Sequence, residues 1–147
     1  MTEGLTLVLR NRLEDVGAMT QAVEAFLAAQ GLDPGPAAQV ALALDELATN
    51  AISYGFEPGV EVEAAVHVTL GLNGWPDGPG GARAVWAVIE DRGRPFDPLS
   101  VPEPDTTAGL EARSIGGLGV HLVRQVMDEI AYERADGRNR IRLCKRL

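Results

Sequence analysis

A two-layer α+β sandwich, with helices on one face of a mixed, mostly antiparallel sheet, is the fold that this sequence predicts. Three observations carry the expectation. Stretches that alternate apolar with polar residues lie near the start, in the middle and at the end of the chain. Two long segments of helical periodicity follow the first of them. The later strands come as hairpin-linked pairs with few helices between them, which favours antiparallel neighbours over a parallel sheet. The 147 residues, 46% hydrophobic and 23% charged, suit one packed core, so residues 1–147 are read as a single domain.

The elements follow in order. Leu5, Leu7 and Leu9 alternate with Thr6, Val8 and Arg10 as a first strand. Asn11 followed by Glu14 reads as a helix start; Leu13, Val16, Val23 and Leu27 then recur at helical spacing, and Gly31 ends the run. Asp33-Pro34 supplies a cap and a first position for a second helix, whose apolar stripe includes Val40, Leu44, Leu47 and Ala51. Gly55 and Pro58-Gly59 close it. Val62, Ala64, Val66, Val68 and Leu70 alternate with Glu63, Ala65, His67 and Thr69, the pattern of a strand with one buried face. A Gly/Pro-rich connection over 73–81 leads to a further strand from Ala84 to Asp91. Residues 95–114 are rich in Pro, Thr and Gly and show no period; a stretch of that length inside a compact domain is usually a functional lid. A helix is predicted over 117–127, then a hairpin of 130–134 with 140–147, turned at Asp136-Gly137.

Composition narrows the function. A net charge of −8 argues against direct nucleic-acid binding, which draws on Lys and Arg to displace counterions from phosphates. No apolar run reaches the roughly 18–20 residues that span a bilayer, and the start Met-Thr-Glu-Gly-Leu lacks a secretory pattern, so a cytoplasmic protein is expected. Cys144 is the only cysteine, which excludes an internal disulfide; in its apolar stretch it reads as a small buried hydrophobe. His67 and His121 stand far apart without ligand spacing.

Three local signals carry chemistry. Glu46 and Asn50, four residues apart, stack on one face of the second helix, and a carboxylate beside an amide oxygen suits orienting a nucleophile and completing a magnesium shell. Alone, such a pair usually marks a solvated face. The second signal is Asp91-Arg92-Gly93: Asp91 shares its strand face with Val85, Ala87 and Ile89, so its carboxylate points inward and needs a donor, which an adenine amino group can be. Gly93 lets a flat base approach the backbone, although Asp-Arg-Gly is also an ordinary turn. The third runs from Arg113 and Ser114 through Gly116, Gly117, Leu118 and Gly119 into the third helix. Glycines ahead of a helix expose N–H groups beside its positive end, a phosphate cradle to which Arg113 adds charge, or they merely satisfy backbone angles. No Gly-Lys-Ser/Thr follows, so it is not a P-loop.

In this order, with a lid between the last two, the three signals resemble the N, G1 and G2 boxes of the GHKL ATPases, and within them the anti-sigma-factor serine kinases of the RsbW and SpoIIAB type. The similar stretches are residues 44–56, 88–98 and 113–129. The resemblance implies a Bergerat-type fold that binds ATP and Mg²⁺. Carried over by position, Glu46 matches the general base and Asn50 the magnesium ligand. Asp91 matches the adenine-binding aspartate and Gly93 the glycine beneath the base. Gly117, Leu118 and Gly119 fall in the phosphate loop, which Gly116 and Arg113 adjoin. It further implies a homodimer, an anti-sigma-factor antagonist phosphorylated on serine, and a sigma factor as second partner. A nucleotide-gated binding module without kinase activity is the alternative. A histidine-kinase fragment would need a phospho-accepting histidine on a dimerisation helix, and neither His67 nor His121 is so placed.

Overall fold

The computed structural model describes residues 4–73, 83–100 and 117–147, the last segment without the side chains of residues 117 and 118. Its elements run β1 (Gly4–Leu9), α1 (Leu13–Ala29), α2 (Pro34–Gly55), β2 (Val66–Leu72) and β3 (Ala84–Asp91), then a 3-10 turn (Pro98–Ser100), α3 (Gly117–Val126), β4 (Glu129–Ala135) and β5 (Arg138–Arg146). The strands form one sheet in the order β1-β2-β3-β5-β4, antiparallel at each pairing. The last hairpin inserts its second strand, placing β5 inside and β4 at the edge. Burial explains the choice: Leu143 and Ile141 of β5 are core residues, whereas β4 is mostly exposed and carries Glu129, Glu133 and Arg134, charges that suit an edge. Asp136 and Gly137 both take left-handed backbone angles (φ 54° and 74°), as the two-residue turn between them requires.

Strand register lines up Val66, Val68, Leu70 and Leu72 with Asp91, Ile89, Ala87 and Val85, and these in turn with Asn139, Ile141, Leu143 and Lys145. This is the helix-covered face. α1 contributes Val16, Met19, Val23 and Leu27 to the core, and α2, which packs against both α1 and α3, contributes Val40, Leu44, Leu47 and Ala51. Each fully buried leucine here stabilises the fold by about 1.5–3 kcal/mol. The apolar rows end in one that turns polar beyond Val66: Val66, Asp91, Asn139 and Arg134 lie side by side across four strands. That row is the floor of the site described below.

Three local expectations are corrected. Asn11 does not cap α1; its side chain donates to the Val60 carbonyl (2.6 Å) and accepts from the Val62 amide (2.7 Å). These bonds tie residues 60–62 down outside the ladder, and β2 begins at Val66 rather than Val62. The N-cap position is Arg12, which makes no side-chain cap bond. Instead Asp15 reaches back to the Arg10 amide (3.0 Å) and guanidinium, and the Arg10 hydrogen bonds hold its carboxyl below the usual range. Leu13, counted in the apolar stripe, is 56% exposed. The connection after Asn73 and, of the stretch 95–114 expected to be a lid, everything from residue 101 onward lie outside the described residues, as do Arg113, Ser114 and Gly116. Among the described residues no helix is long and apolar enough to cross a membrane.

Asn11→Ala removes two hydrogen bonds to backbone, each contributing about 0.5–1.5 kcal/mol. Denaturant unfolding should show a loss of roughly 1–3 kcal/mol, against about 0.5 kcal/mol or less for an uninvolved surface position.

Candidate functional site

Helix α2 runs above the polar end of the sheet, and its 3.6-residue period turns Leu47 and Ala51 toward the floor while bringing Asn50 to the same wall. A cleft opens there, lined by Leu47, Asn50, Ala51, Gly55, Asp91, Phe96, Pro98, Asn139 and Ile141 and holding ≈ 280 Å³ of empty space, open solvent included. Apolar walls with a few convergent polar groups are the usual make-up of a small-molecule site. Phe96 stands at its margin with its ring 5.9 Å from that of Tyr54.

The polar groups are unusually constrained. Asp91 is 6% exposed. Its Oδ1 accepts from the Gly93 amide (2.9 Å) and from Asn139 Nδ2 (2.9 Å), while among the described residues no donor reaches Oδ2. Burial pushes the carboxyl pKa up, and the Asn139 bond, the Gly93 amide and the charge of Arg134 pull part of the way back. Asn50 is also 6% exposed, and its Nδ2 has no partner among the described residues. A buried amide left unpaired costs about 1–3 kcal/mol, so this wall is suited to a ligand that supplies the missing contacts.

Glu46 lies one turn back along α2, and its pKa is raised, chiefly by burial and secondarily by Asp45. It does not line the cleft; its carboxylate rests on Gly119 in the first turn of α3. A Cβ at 119 would fall 2.9 Å from Glu46 Cδ and still closer to Oε2. Gly93 is needed for a different close approach: a Cβ there would sit 2.7 Å from the Gly55 carbonyl oxygen, and the Arg94 amide donates to that same oxygen (2.9 Å).

The structure therefore gathers Asn50 and Asp91 into one cleft with Gly93 adjoining, and it sets Glu46 against Gly119. Gly117 begins α3, so Leu118 and Gly119 lie in its first turn; Arg113 and Gly116 fall outside the described residues. Asn139 is the residue that sequence reasoning missed. The Asp136-Gly137 turn fixes it opposite Arg134, but its place beside Asp91 depends on the β3–β5 pairing, which no local pattern announces. Cys144 is buried, and burial pushes its thiol up to about 11, as a small inert hydrophobe requires.

The fold and cleft define an α+β sandwich with a buried carboxylate at the base of a mostly apolar pocket. The histidine kinase-like ATPase domain family matches residues 9–145, and the chain belongs to that family, whose ligand is ATP. The serine/threonine-protein kinase BtrW of Bordetella bronchiseptica (strain RB50) is 33% identical over 102 residues, 69% of this chain and 65% of that protein. The match thus spans just under two thirds of that relative's length. The RsbU and RsbW domains of Rv1364c from Mycobacterium tuberculosis share the fold with a TM-score of 0.69 at 20% identity, covering 99% of this chain and 33% of that one. The SiaB–SiaC complex from Pseudomonas aeruginosa does so at 0.54 and 19% identity, covering 97% of this chain and 89% of that one. The resemblance to kinases of the RsbW type is borne out.

The two close-packed glycines should respond differently to alanine. At Gly93 the obstructing atoms are backbone, so Gly93→Ala should destabilise by about 1–3 kcal/mol. At Gly119 the obstacle is the far end of a flexible side chain, which can swing away, and alanine favours the helix by up to about 1 kcal/mol. Thermal unfolding of Gly119→Ala should stay within about 1 kcal/mol of the parent.

Proposed function

We propose that this chain is an ATP-dependent protein serine/threonine kinase that phosphorylates a serine of an anti-sigma-factor antagonist and also holds a sigma factor. The observation that carries the reading is Asp91: one oxygen is tied inward by two donors, and the other is left to a base entering the cleft. An adenine amino group is a donor of the right kind. The kinase assignment draws on the likeness to BtrW. The partner assignment draws on the RsbU–RsbW and SiaB–SiaC neighbours; the homodimer and the cytoplasmic setting of this proposal rest on the sequence resemblance and composition alone.

Each residue has a physical task. Ala51 and Ile141 offer apolar surface to the base, and Asp91 fixes its edge. The start of α3, from Gly117 through Gly119, would direct backbone N–H groups and the positive end of the helix dipole toward the phosphates, and Gly116 and Arg113 precede it in the sequence. Asn50 is the residue that would hold Mg²⁺. It would do so through its amide oxygen, because Mg²⁺ takes few protein oxygens and fills its shell with phosphate and water, while the unpartnered Nδ2 is a donor suited to a phosphate oxygen or a water. The ion would supply charge neutralisation on the phosphates. In the transfer, the serine oxygen bonds to the γ-phosphorus as the bond to the departing ADP oxygen breaks. The hydroxyl proton passes to Glu46, whose pKa, raised by burial, makes it a better base than an exposed glutamate.

Two variants divide binding from chemistry. Asp91→Asn should weaken ATP binding about tenfold or more by calorimetry, since a hydrogen bond to a charged acceptor contributes about 1.5–3 kcal/mol. Glu46→Gln should bind ATP like the parent yet transfer phosphate to the antagonist about 10²–10⁴ times more slowly. Transfer at parental rate by Glu46→Gln would refute the base role. Binding without transfer in the parent would leave a nucleotide-gated binding module. The base acts ionised, so the parent's transfer rate should rise with pH through a midpoint above the ordinary glutamate value; a midpoint at or below it would contradict the burial argument.

A further inference from the structure

Asn139 is 2% exposed and uses both ends of its amide. Nδ2 donates to Asp91 Oδ1 and to the Arg94 carbonyl, each at 2.9 Å. Oδ1 accepts from the Tyr132 hydroxyl (2.7 Å) and the Phe96 amide (3.2 Å). Four bonds thus reach β3, β4 and two points of the segment after β3, so the amide has no freedom to flip. The Phe96 amide, which can only donate, and the Arg94 carbonyl, which can only accept, set its polarity and leave nitrogen to face Asp91, while the Tyr132 hydroxyl, able to do either, follows. The adjoining contacts reinforce the arrangement: Arg134 donates to the Gly93 carbonyl (2.8 Å), and Gly93 donates to Asp91.

We infer that Asn139 is a positioning residue for base selection, which spends one Asp91 oxygen on the protein interior and so turns the other toward the cleft as a pure acceptor. The same amide anchors Phe96, whose ring lines the cleft, so the residue that reads the base edge and the residue that bounds the base plane are fixed by one side chain. The consequence is specificity. An acceptor held in place favours a purine with an exocyclic amino group and disfavours one with a carbonyl there, because two acceptors then face each other without a proton. A carboxylate free to rotate, or protonated for want of a donor, could serve either base.

The proposal rests on the nucleotide-site reading, and its test separates the two. The dissociation constants of ADP and of inosine diphosphate are measured with magnesium by calorimetry for the parent, Asn139→Ala and Asn139→Leu, with folding checked by thermal unfolding. The parent should prefer ADP by about tenfold or more, and Asn139→Ala should narrow the preference to about threefold or less, chiefly by retaining the inosine nucleotide. A purely structural role would weaken both nucleotides alike and keep their ratio, which would overturn the proposal. Asn139→Leu keeps the side-chain volume and removes both ends of the amide, so it decides the matter if Asn139→Ala does not fold. A reduced ratio supports the positioning role, and an unchanged ratio overturns it. A parent that binds neither nucleotide overturns the functional reading and this inference together.

Discussion

A carboxylate at the end of an apolar sheet face is costly unless donors surround it, and much of the site is organised by how Asp91 is satisfied. The cost is real: leaving such a group buried and unpaired would be several times the roughly 1 kcal/mol that a typical hydrogen bond contributes. The protein meets it with an amide from the neighbouring strand, a backbone N–H two residues on and the charge of Arg134 from the edge strand. Each of these draws another piece into place. Asn139 brings β5 and the segment at Arg94 and Phe96; Gly93 brings that segment against the end of α2, where the Gly55 carbonyl accepts from Arg94.

Helix α2 serves core and site at once. Leu44, Leu47 and Ala48 bury one stripe of it, and the adjoining stripe carries Glu46 and Asn50. Since the helix is locked by packing on the sheet, α1 and α3, the backbone positions of the two polar residues are fixed, although the end of the Glu46 side chain can still turn. The contact of Glu46 with Gly119 joins that stripe to the first turn of α3, so the side chain read as base and the helix start read as phosphate cradle touch directly.

Much of this was legible in the chain. The hairpin announced itself through Asp136-Gly137, β3 through its alternation ending on Asp91, and α2 through Pro34 at one end and the Leu44, Leu47, Ala51 stripe. These are local periodicities and turn preferences, which one sequence displays. What escaped was relational. Asn11 looked like a helix cap because a short polar residue before a helix usually is one, yet its partners lie 49 and 51 positions away. Asn139 sat unnoticed in an alternating basic strand, since its meaning comes from a strand 48 residues earlier. Gly93 was read for the approach of a base, while its tightest neighbour is the backbone of Gly55.

A crystal structure with ADP and magnesium tests most directly whether the free edge of Asp91 is where a base is read. It should show the adenine ring in the cleft between Ala51 and Ile141, its amino nitrogen about 2.7–3.2 Å from Asp91 Oδ2, with Oδ1 still bound to Asn139 and Gly93. A nucleotide seated elsewhere, or one in the cleft whose amino group ignores Asp91, would contradict that reading.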